Sequence, residues 1–130
     1  MPGRIDRDDK LASYMTGASL HRTGLAAADD TPSFDAAPVI DLGLNRSAAG
    51  NAIHVIANRT AGAGTAALEL WRKLTRDGPA FASWIKVDAV ATVTTGTEYR
   101  FTGLVAAQYK LKVTGVGSST WDLYEYHSES

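Results

Sequence analysis

Tyr109-Lys-Leu-Lys-Val-Thr114 is the stretch that settles the fold class. Tyr109, Leu111 and Val113 share one face of an extended chain, and Lys110, Lys112 and Thr114 share the other. Successive strand side chains point to opposite faces, so this pattern builds a sheet with one dry and one wet side. The alternation recurs outward in Thr120-Trp-Asp-Leu-Tyr-Glu-Tyr126, in Thr97-Glu-Tyr-Arg-Phe-Thr102 and in Ala66-Ala-Leu-Glu-Leu-Trp-Arg-Lys-Leu74.

Extending the reading from Ala36 to the C-terminus gives eight strand candidates: Ala37–Leu44, Ala52–Ala57, Ala66–Leu74, Ser83–Val87, Ala89–Thr94, Thr97–Thr102, Ala107–Thr114 and Thr120–Tyr126. Loops rich in Gly, Asn and Asp separate them at residues 45–51, 58–64 and 76–79. Thr95-Gly96 and Gly115-Val-Gly-Ser-Ser119 read as hairpin connections. Pro38 lacks a ladder donor, which sends the first of these strands to a sheet edge. Short strands at this spacing, with no helix long enough for a parallel crossover, predict an all-β antiparallel β-sandwich, a jelly-roll or related Greek key. The expected core is Ile53, Val55, Leu68, Leu70, Ile85, Val87, Tyr99, Phe101, Leu111 and Val113.

Residues 1–35 differ in composition. Large apolar residues are sparse, and Ala26-Ala-Ala-Asp-Asp-Thr-Pro-Ser33 is small and polar. Such a stretch buries too little surface to offset its ordering entropy alone. The expected organisation is therefore an N-terminal arm, 1–35, followed by a sandwich domain, 36–130. Leu11, Met15, Leu20, Leu25 and Phe34 are the arm's candidates for docking onto a neighbouring subunit.

The 130 residues carry a net charge of −1, divided as −2 in the arm and +1 in the body. No whole-chain field favours nucleic acid or an acidic membrane. The absence of cysteine excludes disulfides, thiolate metal sites and a cysteine nucleophile. No apolar run approaches the ~20 residues that span a bilayer. The charged start Met1-Pro-Gly-Arg-Ile-Asp-Arg-Asp-Asp-Lys10 lacks the apolar core of a signal peptide, pointing to synthesis in the cytoplasm.

Searching the chain for chemistry returns no catalytic, cofactor-binding or metal-ligating set. His21, His54 and His127 are far apart and form no close pair of the kind a metal-binding cupin needs. His54 falls opposite Ile53 and Val55, a solvent-side or interface position. Asp8-Asp9 and Asp29-Asp30 lie in polar segments, whereas catalytic acids need rigid, partly desolvated sites. No nucleophile elbow, phosphate loop or calcium loop is present. Trp71, Trp84, Tyr124 and Tyr126 run out of phase with the apolar residues beside them, so they point away from the expected core. They anchor a protein interface, lie under another part of the chain, or, with Trp121, stack on sugars.

Pro38-Val-Ile-Asp-Leu-Gly43, Ile53-His-Val-Ile56, Leu68-Glu-Leu-Trp71, Tyr109–Thr114 and Trp121-Asp-Leu-Tyr124 together resemble the jelly-roll cement or decoration proteins of tailed-bacteriophage virions. The resemblance covers residues 36–127 and is one of pattern and size. It implies a non-enzymatic capsid decoration subunit on the outer surface of the virion. Such a subunit clamps major capsid proteins and forms a homo-oligomer, a dimer or trimer, without binding nucleic acid or membrane. Tail, neck or fibre components and carbohydrate-binding modules are the competing expectations for the same sandwich.

Overall fold

The computed structural model describes residues 18–43, 50–73 and 83–129. Its eight strands are β1 (Ser19–Leu25), β2 (Ile40–Asp41), β3 (Asn51–Ala61), β4 (Ala66–Lys73), β5 (Trp84–Val93), β6 (Glu98–Leu104), β7 (Gln108–Gly115) and β8 (Thr120–Glu129). One short helix, α1 (Thr31–Ala36), joins β1 to β2. Sheet A has the order β1-β8-β3-β6 and sheet B the order β2-β7-β4-β5.

All ladders are antiparallel, and their pairing is nested. β1 pairs β8, β2 pairs β7, β3 pairs β6 and β4 pairs β5. The chain is thus one long folded ribbon, rolled up by the β3–β8 and β4–β7 ladders. That is the jelly roll, two four-stranded sheets packed face to face.

The core follows from the alternation. Ile53, Val55 and Ala57 of β3 face Leu68 and Leu70 of β4 and Leu111 and Val113 of β7, with Phe101, Trp121 and Leu123 closing the space. Trp121 resolves its one polar atom by donating Nε1–H to Ser119 Oγ at 2.6 Å, and Ser119 in turn donates to the Val116 carbonyl. Gly62 sits at φ +76, and a Cβ there would collide with the Ser118 carbonyl, so the β3–β4 and β7–β8 loops touch through backbone alone.

Several expectations need correction. The boundary at residue 35 does not hold, because β1 and α1 are built into the sandwich; residues 1–17 lie outside the described residues. Ser83–Val87 and Ala89–Thr94 are one strand, β5, so the count of eight is restored by β1. Leu70 pairs with Asp88 and Trp71 with Lys86, which leaves Val87 as the extra residue of a β-bulge. Val87 is accordingly 41% exposed, and Ile85 and Tyr99 are only partly buried. Thr95-Gly96 and Gly115–Ser119 are not hairpins: each carries the chain from sheet B to sheet A. Pro38 does precede an edge strand, β2. Residues 44–49 and 74–82, which include most of the loop expected at 45–51 and all of that expected at 76–79, lie outside the described residues.

Candidate functional site

The two outer faces of the sandwich have different fates. On sheet B, the residues opposite the core are Lys110 and Lys112 of β7, Trp71 of β4 and Trp84 of β5, and α1 lies over them. Asp30 caps the helix by accepting from the Ser33 amide, and Ser33 accepts from the Asp30 amide in return. Phe34 then projects onto the sheet. Its ring meets Trp71 edge-on at 5.4 Å and Trp84 at 6.1 Å. Lys110 Nζ lies 5.1 Å from both the Phe34 and Trp84 ring centres and donates to the Phe34 and Asp35 carbonyls at 2.8 Å. Burial pushes its ammonium below the ordinary lysine range, the Asp35 carboxylate pulling the other way. Lys112 Nζ sits 4.9 Å from the Trp71 ring and 5.6 Å from that of Phe34. The lysine stems and aromatic rings form a second, smaller core with the charges held over ring faces.

This overturns two expected interface positions, because Phe34 is fully buried and Trp84 nearly so. Trp71 is half-buried against Phe34. Leu25 is a third correction, because it packs against the main core opposite Trp121. An exposed tryptophan platform for sugars is lost with them, since Trp84 and Trp121 are both buried. Leu11 and Met15 lie outside the described residues.

The segment that carries α1 is fastened by a buried ion pair. Arg22 of β1 holds both oxygens of Asp29 and also donates to the Leu111 carbonyl at 3.1 Å. Asp29 accepts from the Val113 amide at 2.7 Å and from Ser33 at 2.9 Å. Burial alone would raise the Asp29 carboxyl, but the bonds from Arg22, Val113 and Ser33 outweigh it and hold it below the usual carboxylate range.

Sheet A presents a different surface. Register places Leu20 of β1, Tyr124 of β8, Ile56 of β3 and Glu98 of β6 in one row across all four strands. The next row is Tyr126, His54 and Arg100. Leu20 is 53% exposed, and Ile56, Tyr124 and Tyr126 are each partly exposed. Leu20, Tyr124 and Tyr126 are therefore the expected interface residues that the fold gathers onto one face.

His54 lies on this face, opposite Ile53 and Val55 as the alternation requires, yet it is nearly buried. Its ring stacks on Tyr126 with centroids 4.1 Å apart and planes 3° from parallel. Nδ1 lies 3.1 Å from Glu98 Oε2 and Nε2 lies 3.2 Å from Ser128 Oγ. Tyr126 donates its hydroxyl to the same Glu98 oxygen at 3.3 Å. Sequence spacing hides this cluster, because Glu98 and Ser128 are 44 and 74 residues from His54. The available signal is register: all three sit on the outward phase of three neighbouring strands.

His127 is bound at Nδ1 to Glu125 Oε2 at 2.9 Å, and among the described residues no three His, Cys, Asp or Glu side chains gather as a metal site. No helix among them is long and apolar enough to cross a membrane. No protein-family model, curated protein or solved structure matches the chain.

Proposed function

We propose that this chain is a non-enzymatic virion structural subunit, a capsid decoration or cement protein that docks on major capsid proteins through the outer face of sheet A. One observation carries the docking face. Sheet B's outward aromatics lie under α1, whereas the row Leu20–Tyr124–Ile56 on sheet A retains exposed apolar surface beside Tyr126. Apolar side chains aligned on a solvent-facing sheet mark an interaction surface when they are contiguous, and tyrosine adds area at low entropy cost. The virion setting rests on the resemblance of the sequence pattern. The sandwich supports it only in being a rigid platform, since the same fold hosts many roles.

The contact depends on shape and apolar burial, because the net charge is close to zero. Many symmetry-related copies on a shell would add avidity, with the subunit itself a homo-oligomer. Mixing the purified protein with undecorated shells tests the reading. Stoichiometric density on the outer surface is expected, and Leu20→Asp or Tyr124→Asp should abolish it while leaving the circular dichroism unchanged. Failure to bind shells, with retention on a polysaccharide column, would replace this reading by a carbohydrate-binding one.

A further inference from the structure

We infer that Ser128 is a base-activated nucleophile, an acyl-acceptor site for small activated carboxylic esters, served by His54 and Glu98. The evidence is the order and spacing of three side chains that belong to adjacent strands β8, β3 and β6. Ser128 Oγ to His54 Nε2 is 3.2 Å, and His54 Nδ1 to Glu98 Oε2 is 3.1 Å. A carboxylate only accepts hydrogen bonds, so in the neutral imidazole the proton belongs on Nδ1. That leaves Nε2 as the acceptor facing the serine hydroxyl. This is the nucleophile, base and orienting carboxylate relation that recurs on unrelated folds and is recognised by geometry.

The surroundings suit each role. Ser128 is exposed, as a nucleophile must be, while His54 is nearly buried and Glu98 is partly open to solvent. The parallel Tyr126 ring fixes the plane of the imidazole, and the Tyr126 hydroxyl shares Glu98 Oε2. Tyr126 is thus a positioning residue. Neighbouring strands make the arrangement possible: His54 stands directly opposite Tyr126 and Arg100, and Ser128 and Glu98 are their diagonal neighbours two residues along.

The step balances without an outside oxidant or reductant. Ser128 Oγ bonds to the acyl carbon as its proton passes to His54 Nε2. The acyl–oxygen bond of the ester breaks, and the alcohol or phenol departs with that proton. Glu98 keeps its hydrogen bond to Nδ1 throughout. The product is an acylated Ser128, a covalent mark on the face proposed for docking.

The test uses p-nitrophenyl acetate at low excess over the full chain, with the acetylated residues located by peptide mass spectrometry. Ser128 should be labelled well ahead of Ser19 and Ser118, the other exposed serines among the described residues. His54→Gln should lower Ser128 labelling about 10²-fold, the lower end of what a positioned general base supplies. Glu98→Gln should lower it as well, and this variant alters a partly exposed side chain, so it keeps the inference testable if His54→Gln does not fold. Label spread over Ser19, Ser118 and Ser128 alike, or undiminished labelling of Ser128 in either folded variant, overturns the assignment. Shell binding is measured separately, so failure here leaves the docking result intact and the reverse also holds.

Discussion

Arg22 and Asp29 close the edge of β7 that β2 leaves unpaired. β2 reaches only Tyr109 and Gln108, so Leu111 and Val113 would present free backbone groups at a buried edge. Arg22 takes the Leu111 carbonyl, while Asp29 takes the Val113 amide with its side chain and donates its own amide to the Val113 carbonyl at 2.8 Å. Two side chains and one peptide unit thereby finish a strand pairing that the two-residue β2 cannot.

Asp29→Ala should therefore cost more than Arg22→Met. The first takes the counter-ion from Arg22, which keeps only the Leu111 carbonyl, and the acceptor from the Val113 amide, an expected loss of about 3–5 kcal/mol. The second leaves Asp29 with its Val113 and Ser33 partners and should cost about 1–3 kcal/mol. Urea unfolding at neutral pH measures both. The folded Asp29 carboxyl lies below its unfolded value, so its contribution is present above about pH 4 and is lost as pH falls through the folded value. The acid limb of the stability curve should flatten in Asp29→Ala.

A separate window belongs to His21, the extra residue between Leu20 and Arg22 in the β1–β8 ladder. Burial, with Arg22 adding to it, lowers its pKa from 6.5 to about 4, and Nε2 is buried without a hydrogen-bond partner among the described residues. Between these values the unfolded chain binds the proton and the folded chain does not. Stability should therefore fall from pH 6.5 to pH 4 by at most about 3 kcal/mol, and this contribution should be flat below pH 4. His21→Gln should remove that slope when unfolding is compared at pH 7 and pH 4.5.

Phe34→Ala should destabilise the fold by about 3–5 kcal/mol, as expected for emptying a buried aromatic site. Trp71 and Trp84 would lose their edge-on partner and become wetter, so tryptophan emission should shift to the red. A frayed arm would give neither effect. Ser19 to Ala37 should likewise prove necessary for folding, in contrast to the dispensable arm that composition suggests.

The bulge at Val87 is tested by a pair of substitutions. Leu70→Ala, at a fully buried position, should cost about 2–5 kcal/mol. Val87→Ala, at an exposed bulge, should stay within about 0.5 kcal/mol. Equal losses would place Val87 in the core and shift the β5 register by one residue.

What is local was legible in the residue order. Alternation fixed the strand state of β3, β4, β7 and β8 and the inward phase of Ile53, Leu68 and Leu111, because side-chain direction in an extended chain depends only on parity. It also placed His54, Tyr124 and Tyr126 on the outward phase. It did not reveal β1, because Ser19-Leu-His-Arg-Thr-Gly-Leu25 shows no alternation. Its ladder to β8 is broken by two irregularities, and its inward partner is the guanidinium of Arg22. That segment is a strand only because β8 offers a free edge 100 residues away in sequence. The tertiary structure alone decided which outward aromatics stay open. α1 crosses over sheet B, where Phe34 packs on Trp71 and on the buried Trp84, while Leu20 on sheet A stays more than half exposed. It alone also brought Glu98 and Ser128 to His54. Such choices depend on register and layer packing between residues far apart along the chain, and no periodicity within a strand encodes them.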